Sequence, residues 1–154
     1  MAMKITSPAF KEGTMIPARY TADGQDISPP LKIEGVPAEA KSIAMISDDP
    51  DAPVGTWVQW VVWNLSPEKT EIPEAMPSAG QLPDGTRQGT TDFGRTGYGG
   101  PAPPSGTHRY YFKVYALDTM LQLRAAATKS ELETAMRGHI LAESQLMGRY
   151  QRRR

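Results

Sequence analysis

Hydrophobic positions along the chain fall into two regimes. Through residue 117 the apolar runs are short, rich in β-branched and aromatic residues, and punctuated by Gly, Pro and Asp. That is the pattern of strands joined by turns. In residues 57–65, Trp57, Gln59, Val61 and Trp63 alternate with Val58, Trp60, Val62 and Asn64. Both faces are largely apolar, which predicts a central strand buried on two sides. An apolar run at 43–46 precedes it, and residues 108–117, HRYYFKVYAL, predict a further strong strand. Residues 28–33 read as an extended entry into a strand. Residues 14–21 read as a short edge strand, the place where Pro17 is tolerated. Residues 3–10, with Ser7-Pro8, read as an edge or turn, and Asp23-Gly24 is a turn signal. From residue 128 the period changes. Leu132, Met136 and Ile140 recur every fourth position, Met147 and Tyr150 extend that face, and Thr128 with Glu131 and Ser130 with Glu133 both form capping-box pairs. The spacing predicts one helix over 128–150 packed on a sheet, with His139 as a packing residue. Gly148 lies near its end, and Arg149, Arg152, Arg153 and Arg154 favour its negative pole.

Between these elements, residues 66–94 hold Pro67, Pro73, Pro77, Pro83, Gly80, Gly85 and Gly89, which leaves little room for a helix. A connection of that length is a functional loop or an elaborate turn, and it offers one surface for a homodimer. The length of 154 residues is that of one domain spanning the chain. Lys+Arg and Asp+Glu are both 17, so no basic excess points to nucleic acid. Without cysteine there is neither a disulfide framework nor a thiolate metal site, and two distant histidines make zinc a poor fit. The first residues carry no signal-peptide apolar region and no stretch reaches membrane-spanning length, so a cytoplasmic protein is expected. Met1-Ala2 before Met3 also fits a cloning remnant.

Three groups could carry chemistry. In Asp48-Asp49-Pro50-Asp51-Ala52-Pro53 the prolines stiffen the loop and push Asp49 and Ala52 out of helical geometry. Asp49 and Asp51 are either carboxylates lining a pocket or the acceptors of an Asx-type turn, and for an isolated Asp-Pro-Asp the turn is the commoner outcome. Residues 98–106, YGGPAPPSG, could bring backbone N–H groups to an anion or form an ordinary proline-rich crossover; they match no phosphate-loop or dinucleotide fingerprint. His108 and Tyr110 stand at strand spacing and so share a face. Ser105-Gly106 lacks the Gly-x-Ser-x-Gly nucleophile elbow.

Together, Asp49-Pro50-Asp51-Ala52-Pro53, the Trp-x-x-Trp-Val-Val-x-Asn run from Trp57 to Asn64, and the run from Gly99 to Tyr110 resemble the phosphatidylethanolamine-binding protein family. The branch it is similar to is the bacterial and archaeal one, often labelled Raf-kinase-inhibitor-like. Ser7-Pro8-Ala9-Phe10, Tyr20-Thr21-Ala22-Asp23-Gly24, Ser28-Pro29-Pro30-Leu31, Gly138-His139-Ile140-Leu141 and Gly148-Arg149-Tyr150 extend the resemblance over nearly the whole chain. It implies a mostly β fold of two antiparallel sheets with a C-terminal helix and short helical turns. It also implies a small surface pocket for phosphate-type anions such as a phospholipid head group, with no cofactor. Position by position, Asp49 and Asp51 fall on the family's acidic pocket loop, Ala102, Pro103 and Pro104 on its glycine-proline wall, and His108 and Tyr110 on its pocket His and Tyr. Gln59 stands where the family usually has histidine; an amide donates hydrogen bonds but carries no charge.

The favoured expectation is a non-enzymatic binding module. Its ligand is a phosphate or phosphate ester held by His108, Gln59, Tyr110 and loop N–H groups near Ala102 to Pro104. Asp49 orients His108, and Asp51 braces the loop or meets a cationic amine. The resemblance also allows a regulator of a kinase or serine protease. A small-ester hydrolase using Asp49, Asp51 and His108 is the enzymatic alternative, although no activated nucleophile is visible. A basic C-terminal arm touching anionic membrane is a further, minor option.

Overall fold

The computed structural model describes residues 2–152. Met1, Arg153 and Arg154, which include half of the expected basic terminus, lie outside the described residues. In chain order the strands are β1 (Lys4–Thr6), β2 (Leu31–Glu34), β3 (Ser42–Asp49), β4 (Trp57–Leu65), β5 (Glu71–Ile72), β6 (Arg87–Gln88), β7 (Thr107–Leu117) and β8 (Ile140–Gln151). One helix, α1 (Lys129–Met136), and a 3-10 turn at Ala18–Tyr20 complete the set. The strands build two antiparallel sheets, ordered β1-β2-β5 and β6-β4-β3-β7-β8. The mostly β, two-sheet expectation holds.

The larger sheet is apolar on both faces where β3 and β4 cross it, as their unbroken hydrophobic runs require. Ile43, Met45, Trp60, Val62, Phe112 and Val114 pack with Ile5, Leu31, Ile33 and Ile72 of the smaller sheet. Ala44, Ile46, Val61, Trp63 and Leu117 face the other way and are covered by Leu121, Leu132 and Met136. Every residue of β3 is buried. The long 66–94 connection contributes β5 and β6. It is pinned by buried Gln88, whose amide accepts from Trp60 Nε1 at 2.7 Å and donates to the carbonyls of Pro77 and Ala79 at 2.6 and 2.9 Å.

The helix expected over 128–150 stops at Met136. Thr128 is the N-cap and forms the capping box with Glu131; Ser130 lies inside the helix. Gly138 takes φ +79°, a left-handed conformation that ends the helix, and the chain then runs as β8 against β7 over the full length of β7. A four-residue repeat fits two turns of neither period uniquely: it is one helical turn and also two strand alternations. Beyond Gly138 it is the strand period that operates, with Leu146, Gly148 and Tyr150 inward and Glu143, Gln145 and Arg149 outward. Ile140, assigned to the helical face, is 41% exposed. Arg149 therefore sits on a strand and Arg152 just after it, and neither serves a helix pole. His139 is no packing residue either: its Nδ1 pairs with Asp118 Oδ1 at 2.7 Å on the surface. The edge strand expected at 14–21 is replaced by a single parallel bridge from Met15 to Arg149 and the 3-10 turn after Pro17. Backbone bonds from Gly13, Ile16 and Arg149 dock this segment along the outer edge of β8, so it shields that edge without forming a strand.

Candidate functional site

The β3–β4 hairpin and the start of β7 converge at one end of the larger sheet. Asp49 closes β3, opposite Trp57 at the start of β4. Adjacent residues on a strand point to opposite faces, so Asp48 and Asp49 serve different sides of the sheet. Asp49 Oδ1 accepts from the Asp51 backbone N–H at 2.8 Å, which is an Asx-type turn. Its Oδ2 lies 2.7 Å from His108 Nδ1. Both readings of the acidic loop therefore hold for Asp49: one oxygen fixes the turn and the other fixes the imidazole. Both side chains are buried. With Nδ1 committed to the carboxylate, the ring's remaining hydrogen-bonding position is Nε2.

Tyr110 follows two residues on, its ring stacked on that of His108 with centroids 6.4 Å apart. The residue is 1% exposed, and its hydroxyl is buried without a hydrogen-bond partner. Asp49 and the Ala102 backbone are polar neighbours of that oxygen, but neither completes a hydrogen bond. Burial first, then the Asp49 charge, push the phenol well above its ordinary pKa, so it remains a proton donor. An unsatisfied buried hydroxyl costs about 1–3 kcal/mol.

These groups open into a cavity of about 280 Å³. Asp49, Gln59, His108 and Tyr110 supply its polar lining, and Ala102, Pro103 and Pro104 form one wall. Across from it stand Ala52, Pro53 and Val54 of the hairpin loop, with Trp57 and Phe93, whose rings meet edge to face at 5.5 Å. Seven of the eight expected site residues thus come together. Asp51 is the exception. Its carboxylate faces Arg109, with Oδ1 to Nη2 at 2.8 Å and Oδ2 to Nε at 2.9 Å, and Oδ2 also accepts from the Arg109 backbone N–H at 2.9 Å. That pairing holds the Asp51 pKa down at about 2. Asp51 locks the hairpin loop onto β7 from outside the cavity.

The Gly-Pro wall has a different logic from the expected anion nest. Gly99 N–H donates to the Gln59 carbonyl at 2.8 Å, and Gly100 N–H donates to Asp26 Oδ1 at 2.7 Å, so neither faces the cavity free. A Cβ at Gly99 would meet the Phe93 ring at 2.3 Å, and one at Gly100 would meet Asp26 Oδ1 at 2.5 Å. The glycines are there for close approach. In the Ala102-Pro103-Pro104 wall only Ala102 owns an N–H. Gln59 Nε2 donates to the Gly99 carbonyl at 2.7 Å, so with the backbone bond Gln59 grips Gly99 at two points and holds the wall in place.

Sequence reasoning missed Trp57 and Phe93 as cavity residues, because Trp57 reads as strand core and Phe93 lies in a loop without periodicity. It also missed Asp26, which follows a turn signal and anchors the wall. Among the described residues no group of three or more His, Asp or Glu is placed to hold a metal ion. Among them, too, no helix is long and apolar enough to cross a membrane.

The fold and cavity define a class: two-sheet β proteins with a small, mostly apolar pocket that holds a few polar groups at the mouth of an Asp-Pro-Asp hairpin. The chain belongs to the phosphatidylethanolamine-binding protein family, whose profile matches residues 6–151. A UPF0098 protein of Methanothermobacter thermautotrophicus is 53% identical over 150 residues, covering 97% of this chain and 99% of that one. The crystal structure of a phosphatidylethanolamine-binding protein homologue from Chlamydia trachomatis superposes with a TM-score of 0.92 at 43% identity, covering 99% of both chains. Escherichia coli YbcL, a member of the same family, gives a TM-score of 0.89 at 30% identity, covering 99% of this chain and all of that one.

Proposed function

We propose that the protein is a non-enzymatic binding module whose cavity takes a phosphate-type anion or the phosphoryl end of a phosphate ester. The observation that carries this reading is the Tyr110 hydroxyl, a buried donor with no partner in the protein, beside an imidazole whose other nitrogen is already held by Asp49. A ligand oxygen would satisfy the phenol and accept from His108 Nε2 when the ring is protonated, with the Ala102 N–H as a third donor. Trp57, Phe93 and Val54 would cover the less polar remainder of an ester. Gln59 positions the wall, and Asp51 braces the loop through Arg109.

The cavity lining includes no Ser, Thr, Cys or Lys, which favours binding over covalent catalysis. The Asp49–His108 pair alone would serve a hydrolase only by activating water.

Calorimetric titration with phosphate, phosphoethanolamine and a nucleotide tests the reading on the wild type and on Tyr110→Phe, which removes one oxygen and keeps the stacked ring. Saturable binding weakened in the variant supports it. Binding of none of the three, or equal binding by both proteins, overturns it. Phosphomonoester turnover abolished in Asp49→Asn would replace it with the hydrolase.

A further inference from the structure

The outer face of β7 and β8 carries an arrangement that the cavity does not use. Arg109 on β7 and Arg149 on β8 are direct cross-strand partners. Like charges set opposite one another in a sheet repel. Arg109 is compensated by the two-pronged bond to Asp51. Arg149 is exposed, and its side chain has no hydrogen-bond or ion-pair partner among the described residues. Its backbone is nevertheless fixed on both sides, by β7 and by bonds to Thr14 and Ile16 on the outer edge. The cation is thus uncompensated on a rigid support.

The two arginines line an open depression of about 510 Å³ together with Asp51, Ser105, Thr107 and His108. This depression abuts the cavity. His108 borders both, Asp51 is followed by Ala52 of the cavity, and Ser105 is preceded by Pro104 of the cavity. Across the ridge between the two sites the lining thus passes from one residue to the next on each loop. The single carboxylate in the depression is consumed by Arg109, which leaves the site with one net positive charge, while the Thr107 hydroxyl donates to Gln151 Oε1 at 3.2 Å.

We infer that Arg149, supported by Arg109, forms a second anion subsite for ligands that carry two anionic groups on one flexible spacer. The first phosphoryl group enters the Tyr110 cavity, so the inference rests on the function proposed above. The second, a phosphate or carboxylate, crosses the ridge and meets the free guanidinium, which binds such groups in a planar, two-pronged manner. The ligand class is then a bis-anionic phosphate ester, in preference to a simple monoester.

The test is calorimetry at low salt with propyl phosphate and with the bisphosphates of 1,3-propanediol, 1,4-butanediol and 1,6-hexanediol, on the wild type and on Arg149→Gln. At least one spacer should bind about tenfold tighter than the monophosphate, as a second charge-assisted contact allows. The advantage should fall to about twofold in Arg149→Gln, and at high salt, while propyl phosphate binds both proteins alike. No gain with any spacer, a gain indifferent to Arg149→Gln, or equal loss for mono- and bisphosphate overturns the subsite. If propyl phosphate fails to bind but an Arg149-dependent bisphosphate binds, the cavity reading falls and the subsite stands. Binding of no probe overturns both. Because the Arg149 side chain has no partner among the described residues and faces a like charge, a melting temperature no lower than that of the wild type checks that the variant is folded.

Discussion

Asp48 and Asp49 are neighbours in sequence, equally buried, and opposite in fate. Asp48 faces the outer side of the sheet, where its Oδ2 receives Lys113 Nζ at 3.2 Å and Lys129 Nζ at 2.9 Å. One carboxylate is closed by two cations, and because Lys129 opens α1, the cluster fastens the helix to β3. Asp49 faces the inner side, where its partners are an imidazole and a turn N–H, and where the adjacent Tyr110 hydroxyl is left open. Burial of a carboxylate is common to both sides. What separates a structural cluster from a candidate site is whether the polar groups are exhausted by one another. On the Asp48 side the carboxylate is engaged by two cations; on the Asp49 side a donor is held in reserve.

The largest effect that sharpens this contrast is expected for Asp48→Ala. Breaking a buried ion pair costs about 3–5 kcal/mol. Lys113 and Lys129 are partly solvated, with side chains 30% and 21% exposed, so we expect about 2 kcal/mol, after the discount for cations that regain water. Urea unfolding gives the loss, and phosphate-ester affinity should be unchanged. A binding loss equal to that of a cavity variant would erase the distinction between the two faces. Tyr110→Phe should behave inversely. Removing a buried hydroxyl that has no partner leaves stability level or slightly raised, while loss of a donor to an anion weakens binding about tenfold. A destabilised Tyr110→Phe would mean that the hydroxyl is already satisfied within the protein.

The contrast was only half legible in the sequence. The apolar runs at 43–46, 57–65 and 108–117 marked the strands, and from the last of them the shared face of His108 and Tyr110 followed by alternation alone. The Asp-Pro-Asp loop was visible, but alternation could not say that Asp51 turns outward to Arg109, because that depends on a partner 58 residues away. The Gly-Pro run was visible as a stiff, tightly turning segment, and as a wall only through the family resemblance; its contacts with Phe93 and Asp26 are tertiary and left no local trace. The C-terminal error is instructive for the same reason. Thr128 and Glu131 announced a true helix start, and a four-residue repeat carried it past its end, although Gly138 offered a stop ten residues before Gly148. Gly138→Ala should cost about 1 kcal/mol, since φ +79° is strained for any residue with a Cβ. Thermal melts would show it. A neutral outcome would mean that the helix end adjusts freely and that β8 is not placed by this turn.

The smallest expected effect concerns acid. The Asp51 carboxyl, with an ordinary value of 3.8, is held at about 2, first by the Arg109 side-chain hydrogen bonds and then by the Arg109 backbone N–H and charge, against a burial that raises it. A folded-state pKa below the unfolded value means that the unfolded chain binds the proton more readily. The contribution to stability is therefore complete above about pH 4 and is lost as pH falls through about 2. Asp51→Asn should flatten the acid limb of the unfolding curve between those values and lower neutral-pH stability by the same small amount, because the Arg109 partner is half exposed and exposed pairs contribute little. In the same variant the hairpin loop loses its outer brace while the cavity keeps its own donors. If phosphate-ester affinity falls by more than about twofold, loop placement from outside governs the pocket, and the two faces of the sheet are coupled through Asp51. If only the acid limb moves, the inner face holds its ligand geometry through Asp49, Gln59 and the wall alone.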